Sequence, residues 1–228
     1  MKLLLIRHGS PDYEHDCLTE KGREEAALLA GRIAGMKIDG FYSSPMGRAR
    51  ETMQFTLDRV GRQGEVLDWL HEFDIFLPDE KRGGRIMTWD VPPGEWMEQA
   101  ELFDKDSWQE NSTVKGSDMT ERYRAVQKGL EKLLEENGLT REGGCYRVTG
   151  EHDKTLALYC HFGATCVVMA HLLNLSPMLA VQSLSADPTA VAVLCTDDRF
   201  DGKVNFRLHL YGDTSHLGRQ GGGTLKAK

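Results

Sequence analysis

Four polar side chains could together bind and transfer a phosphoryl group: Arg7, His8, Arg48 and His161. The two guanidinium groups offer fork-shaped donors that match phosphoryl oxygens, and they stay charged at any relevant pH. A neutral imidazole is a competent nucleophile near neutral pH. One histidine can therefore accept the phosphoryl group while the other donates a hydrogen bond to its oxygens. The pattern favours phosphate as the ligand.

The residues before each histidine predict the strands that would position it. His8 closely follows residues 3–6, a continuous apolar run that is typical of a strand buried on both faces of a parallel sheet. His161 follows a second predicted strand, residues 155–160. Because ligands of parallel sheets bind outside the carboxyl ends of central strands, we expect the two histidines to share one crevice.

Arg48 is predicted in the first turn of a helix that Ser44 caps and Pro45 begins. The unpaired backbone N–H groups and the dipole of a helix start also favour an anion there. A further strand is predicted over residues 66–70, just before Glu72.

The alternation of strands and helices predicts an α/β fold, a three-layer α/β/α sandwich with a mostly parallel central sheet. The remaining strands are predicted at residues 41–43, 145–149, 191–195 and 204–211. The remaining helices are predicted at residues 20–34, 118–137, 164–173 and 177–184.

Residues 73–117 break this alternation with proline and glycine and hold three of the four tryptophans. Because this aromatic content argues against disorder, we predict an inserted cap of short helices and irregular chain. Residues 1–228 are then a single domain that carries this cap, with a flexible Gly-rich tail at residues 218–228.

Composition narrows the possible partners and location. There are 28 basic and 35 acidic side chains, a net charge of −7, which argues against nucleic acid or an anionic membrane as partner. The five cysteines form no C-x-x-C pair, so the sequence indicates neither a disulfide framework nor a zinc site. There is no apolar run long enough for a signal peptide or membrane span. We expect a cytoplasmic protein without a metal or other cofactor.

Several sequence blocks carry a family resemblance: LLIRHG at 4–9, LTEKGR at 18–23, YSSPMGRA at 42–49 and LYCHFG at 158–163. Their order and spacing resemble the histidine phosphatase superfamily, also called phosphoglycerate mutase-like, branch 1. The resemblance implies metal-independent phosphoryl transfer through a phosphohistidine. It covers about residues 1–72 and 155–217 and leaves the predicted cap unassigned.

Carried over by position, the resemblance implies that His8 is the nucleophile. It makes Arg7, Arg48 and His161 the groups that bind the transferring phosphoryl group and stabilise its charge. Glu72 matches the acid that protonates the leaving oxygen and then activates water.

Three further residues are candidate phosphate contacts: Ser10, which follows the RHG block where many members of the family have Glu or Gln, and Phe162 and Gly163. Phe162 or Gly163 would supply a backbone donor beside His161.

The function predicted from these residues is hydrolysis of a small phosphorylated metabolite as a phosphomonoesterase. Two alternatives stay open, a phosphoglycerate-type mutase and a catalytically silent module that binds a phosphorylated ligand. The sequence does not name the substrate, and a homodimer is possible.

Overall fold

A computed structural model describes residues 1–199 and 202–218 of the chain. Apart from Gly218, the predicted flexible tail at residues 218–228 lies outside the described residues. No helix in the described part combines the length and apolar character needed to cross a bilayer.

Strands and helices alternate along most of the described chain. The strands are β1 Lys2–Arg7, β2 Pro11–Asp12, β3 Cys17–Leu18, β4 Gly40–Ser43, β5 Glu65–Val66, β6 Phe76–Asp79, β7 Gly84–Met87, β8 Leu139–Glu142, β9 Cys145–Val148, β10 Thr155–Cys160, β11 Val191–Thr196, β12 Lys203–Val204 and β13 Phe206–Asp213. The α-helices are α1 Glu20–Ile33, α2 Gly47–Val60, α3 Pro93–Trp96, α4 Ser112–Lys115, α5 Met119–Glu135, α6 Phe162–Leu173 and α7 Pro177–Ser183.

The central sheet has six strands in the order β13-β11-β1-β10-β4-β5. Strands β1, β10, β4 and β5 are parallel, whereas β11 and β13 pair in the antiparallel sense at one side. The prediction of a mostly parallel central sheet is confirmed. Its middle is the β1–β10 pair, which places the two predicted histidines on neighbouring strands.

Both faces of the sheet are covered, which explains the unbroken apolar run in β1. Leu3 and Leu5 belong to a core shared with α5, α6 and α7. Leu4 and Ile6 point the other way, into a second core with α1 and α2. Helices therefore cover both faces, and the predicted three-layer α/β/α sandwich is confirmed.

Two predicted strands were wrong in extent. The predicted strand at residues 66–70 is instead the end of β5 followed by a 3-10 helix at Asp68–Leu70. The strand stops there because the Leu70 N–H donates to the Leu67 carbonyl oxygen and turns the chain. The predicted strand at residues 204–211 is divided at Asn205 into two strands: β12 pairs with β9, and β13 pairs with β11. The sequence also gave no sign of β8, which completes a small antiparallel sheet with β9 and β12.

The segment at residues 73–117 contains the β6–β7 hairpin, α3, α4 and three 3-10 helices. Trp96 and Trp108 are buried in the same core as β1, and the Trp108 ring meets Tyr123 of α5 edge to face at 5.1 Å. The segment is therefore packed on the main core through its aromatic side chains.

Two glycines allow the loop after β1 to pack closely against α1. A Cβ atom on Gly9 would lie 2.6 Å from the Gly22 carbonyl oxygen, and one on Gly22 would lie 2.2 Å from the Ser10 carbonyl oxygen. No real side chain fits at those distances. These two motif glycines let the backbone that follows His8 pass directly over the start of α1.

We expect Gly22→Ala to lower the free energy of unfolding by about 1–3 kcal/mol, because backbone atoms must shift to admit the new methyl group. Urea denaturation measures the change. The matched control is Gly31→Ala in the same helix, where the nearest atom is an Arg59 side-chain carbon 3.9 Å away. A mid-helix alanine should stabilise by about 0.5–1 kcal/mol. Equal effects of the two substitutions would contradict the close-approach argument.

Candidate active site

The two predicted histidines meet at the carboxyl end of the central strand pair. His8 follows β1, His161 follows β10, and these strands run in register with Arg7 beside Cys160. The imidazole ring centres are 5.1 Å apart. His8 is 1 % exposed and His161 is 0 % exposed, so both rings lie inside the protein.

One hydrogen bond orients the His8 ring. Its Nδ1 lies 2.7 Å from the Gly9 carbonyl oxygen, which can only accept, so Nδ1 carries the proton and donates it. Nε2 is therefore unprotonated, and its lone pair accepts a hydrogen bond from the Arg48 Nε–H at 3.3 Å. Burial lowers the pKa of His8 to about 4, with a smaller contribution from the Arg48 charge. His8 is thus neutral at neutral pH and presents a nucleophilic nitrogen beside a cation.

His161 is held by a serine. Its Nε2 lies 2.7 Å from the Ser44 hydroxyl oxygen, while Nδ1 is buried without a hydrogen-bond partner in the described part of the chain. Burial, aided by repulsion from His8 and Arg48, lowers the pKa of His161 to about 2. The ring is neutral and can give or take one hydrogen bond in the pocket.

Arg7 and Arg48 supply fixed positive charge next to the histidines. The Arg7 Nη1 donates to the Ala186 carbonyl oxygen, and its Nε is buried with no partner among the described residues. Arg48 is 5 % exposed and forms an ion pair with Asp16 at 2.6 Å. Charges in so buried a site attract an anion more strongly than they would in water.

The start of the helix that carries Arg48 differs from the prediction. Helix α2 begins at Gly47 rather than Pro45, and its N-cap is Met46. Ser44 does not cap it, because the Ser44 hydroxyl accepts the Met46 N–H and contacts His161 instead. Arg48 still lies in the first turn of the helix.

Glu72 follows a 3-10 helix rather than the predicted strand, and it reaches the start of α6. Its Oε1 accepts the N–H groups of Phe73 at 2.8 Å and Ala164 at 3.2 Å. Burial raises the pKa of this carboxyl group, although those hydrogen bonds oppose the shift. A carboxyl group with a raised pKa can hold a proton and release it to a leaving group.

The three remaining predicted contacts lie in different surroundings. Phe162 and Gly163 open α6, so their N–H groups have no acceptor inside the helix. A Cβ atom on Gly163 would lie 2.9 Å from the Glu72 Oε1, so Gly163 lets the carboxyl group approach. Ser10 is occupied elsewhere, because its N–H and its hydroxyl group both donate to the carboxylate of Glu25.

The sequence did not indicate three residues that touch this centre. Asp16 pairs with Arg48, the Ala186 carbonyl accepts from Arg7, and Trp89 meets the Phe162 ring edge to face at 5.6 Å. No sequence signal pointed to Ala186 or Trp89, since both contacts depend on distant loops. An acidic residue near an RHG block is the only clue that Asp16 offered.

A cleft of about 440 Å³ adjoins the site next to Glu72. Its lining includes Met46, Trp69, Asp74 and Arg122. The Arg122 guanidinium donates to the Glu72 carbonyl oxygen at 2.5 Å and to Asp74 at 3.1 Å, which ties α5 to the Glu72 loop. Within residues 1–199 and 202–218, no group of three or more His, Cys, Asp or Glu side chains could hold a metal ion.

Comparison with known proteins identifies sequence relatives of this chain. The model of the histidine phosphatase superfamily (branch 1) matches residues 3–207. The 2,3-bisphosphoglycerate-dependent phosphoglycerate mutase of Thermoplasma acidophilum is 38 % identical over 69 residues, which cover 26 % of this chain and 34 % of the mutase. The mutase of Brucella ovis is 36 % identical over 73 residues, 27 % of this chain and 35 % of the relative. The matches thus span about a third of the length of these relatives.

Solved structures match over nearly the whole chain. A mycobacterial glucosyl-3-phosphoglycerate phosphatase is 21 % identical with a TM-score of 0.63, covering 92 % of this chain and 98 % of that protein. An Entamoeba histolytica phosphoserine phosphatase is 20 % identical with a TM-score of 0.61, covering 95 % and 98 %. At this level of identity the likeness establishes a common fold.

The pH dependence of kcat/KM should report the free-enzyme pKa values of this site. Because the pKa of His8 is lowered to about 4, the ring stays neutral above that pH, and kcat/KM should fall only as the pH drops through about 4. If Glu72 must be protonated, kcat/KM for an alkyl phosphate should also fall as the pH rises through the raised pKa of that carboxyl group. An acid limb near the ordinary histidine pKa of about 6.5 would contradict a buried, neutral His8.

Proposed function

The chain belongs to the histidine phosphatase superfamily, branch 1, and on that premise we propose that it is a phosphomonoesterase that hydrolyses a small phosphorylated metabolite through a phosphohistidine at His8. The observation that carries the proposal is the orientation of the His8 ring. Nδ1 is fixed on the Gly9 carbonyl, and Nε2 faces the Arg48 guanidinium at 3.3 Å. A nucleophile and an anion-binding cation thus point at the same small volume.

In the first step, the His8 Nε2 forms a bond to phosphorus while the ester P–O bond breaks. Glu72 gives its proton to the departing oxygen, so the product alcohol leaves neutral. Arg7 and Arg48 bind the equatorial phosphoryl oxygens, and their preorganised positive charge lowers the barrier. The neutral His161 ring donates one further hydrogen bond to these oxygens from Nδ1.

In the second step, the ionised Glu72 accepts a proton from water as the water oxygen bonds to phosphorus. The N–P bond breaks, inorganic phosphate leaves, and Glu72 is again protonated for the next turnover. The raised pKa of Glu72 supports this double role, because the group must hold a proton in one step and take it back in the next. No metal ion enters either step.

The cleft beside Glu72 supports a small leaving group. Its volume of about 440 Å³ lies in the range of pockets that bind small molecules. The five cysteines are free thiols, which supports a reducing, cytoplasmic location. A homodimer, and the absence of nucleic-acid and membrane partners, stay predictions.

A phosphoglycerate-type mutase is the second candidate, because the curated relatives matched in sequence are mutases of this type. Water must be kept from the phosphohistidine in a mutase, whereas Glu72 as described would activate it. Product analysis with a monophosphoglycerate separates the two: free phosphate supports the phosphatase, and an isomerised phosphoglycerate supports the mutase. A silent binding module would yield neither product.

We expect wild-type protein to hydrolyse p-nitrophenyl phosphate equally with and without EDTA. His8→Ala should lower turnover by on the order of a thousandfold or more, because the nucleophile is lost. Rapid quenching should trap an acid-labile, base-stable phosphoryl label on wild type only. The control is His209→Ala, an exposed histidine on β13, which should keep full activity. Phosphate binding without turnover or label would favour the silent module.

Glu72→Gln tests the proton donor. Glutamine keeps an oxygen for the Phe73 and Ala164 N–H groups but cannot release a proton, so the local structure should survive. Alkyl phosphates, whose leaving oxygen needs a proton, should lose about 100-fold or more in kcat, and aryl phosphates much less. Parallel assays of the two substrate types provide the measurement. Equal losses for both would remove Glu72 from this role.

A further inference from the structure

The Asp16 carboxylate binds two groups at the start of α2. Its Oδ1 lies 2.6 Å from the Arg48 Nη1, and its Oδ2 accepts the Gly47 N–H at 2.6 Å. The side chain of Met46, the N-cap of α2, does not cap the helix, so a loop residue 31 positions away from Gly47 supplies the missing cap. A negative charge at this end also interacts favourably with the helix dipole.

The backbone on both sides is shaped for this contact. Asp16 has a φ of 47°, in the left-handed region, which aspartate tolerates better than most residues. A Cβ atom on Gly47 would lie 2.1 Å from the Asp16 carbonyl oxygen. The loop after β2 therefore touches the start of α2 directly, and only glycine at position 47 permits that approach.

The three nitrogen atoms of the Arg48 guanidinium contact three different residues. Asp16 takes Nη1, whereas Nε donates to the His8 Nε2 at 3.3 Å and Nη2 contacts the Met46 sulfur at 3.3 Å. Nε and Nη2 lie on one edge of the planar group, and such an edge can bind two phosphoryl oxygens at once. The Tyr13 ring, 5.3 Å from the guanidinium carbon, limits rotation from another side.

We propose that Asp16 is a positioning residue, which holds Arg48 by Nη1 so that the Nε–Nη2 edge is presented to the phosphoryl group at His8. This inference rests on the proposed function, because it assigns Arg48 to the transferring group. The ordinary alternative is an ion pair that only fastens the loop: the Asp16 side chain is 44 % exposed, and such pairs contribute little to stability. In the positioning role, the effect of Asp16 on catalysis requires the Arg48 side chain, whereas in the alternative it does not.

A double-mutant cycle on kcat and KM for p-nitrophenyl phosphate separates these possibilities. Asp16→Ala should lower kcat/KM about 10- to 100-fold, mostly through kcat, because a displaced Arg48 guanidinium no longer stabilises the transition state. The same substitution in an Arg48→Ala background should lower kcat/KM by no more than about twofold, since no guanidinium group remains to be positioned. Asp16→Asn keeps one carbonyl oxygen for Arg48 and should recover part of the loss.

The matched control is Asp12→Ala, at the end of β2 and four positions before Asp16. Asp12 pairs with the exposed His15 at 2.8 Å and should leave kcat/KM essentially unchanged. If Asp16→Ala costs as much in the Arg48→Ala background as in wild type, or no more than Asp12→Ala does, the positioning role is overturned.

Nitrogen-15 NMR of the Arg48 Nε–H, assigned with Arg48→Lys, gives a readout that needs no turnover. A fixed guanidinium should show a slowly exchanging resonance that broadens or exchanges faster in Asp16→Ala. An unchanged resonance overturns the positioning role even if activity falls. Wild-type protein without His8-dependent turnover would overturn the proposed function instead, and the resonance would still decide the role of Asp16.

Discussion

The parallel pairing of β1 with β10 is the constraint on which the candidate site depends. These two central strands end side by side, so the residues after them, His8 and His161, are brought to a ring separation of 5.1 Å although they are 153 positions apart. Layers of helices bury the pair from both faces, and this burial keeps the register from slipping. A slip of one strand by one residue would turn its side chains to the opposite face of the sheet.

Burial then sets the chemistry of the groups gathered there. Removal from water lowers the pKa of both histidines, so both rings are neutral at neutral pH, and it raises the pKa of the Glu72 carboxyl group. The arginines keep their charge because guanidinium is protonated at any relevant pH. The result is a buried pocket that combines fixed positive charge with two neutral imidazoles and a carboxyl group of raised pKa, an arrangement that can stabilise the charge of a phosphoryl group.

Loops distant in sequence complete the positioning that the sheet begins. The Glu72 carboxyl group rests on the start of α6, which opens directly after His161. The Asp16 carboxylate binds the start of α2, which carries Arg48. Each helix start thus receives a carboxyl group from another part of the chain. Gly163 and Gly47 make the two approaches possible, because a Cβ atom at either position would collide with the incoming chain.

The sequence by itself was enough to predict the α/β sandwich and the family. Both depend on local signals: apolar runs with strand or helix periodicity, and short motifs with fixed spacing around Arg7, His8 and Arg48. Tertiary structure decided what depends on partners far along the chain. Ser44 was predicted to cap α2 but contacts His161, and the strand predicted at residues 66–70 turns at Leu67. The contact between Ser10 and Glu25 also depends on the tertiary structure. The edge of Arg48 that faces His8 is likewise determined by Asp16, 32 positions away, because a side chain takes its orientation from whatever the fold places against it.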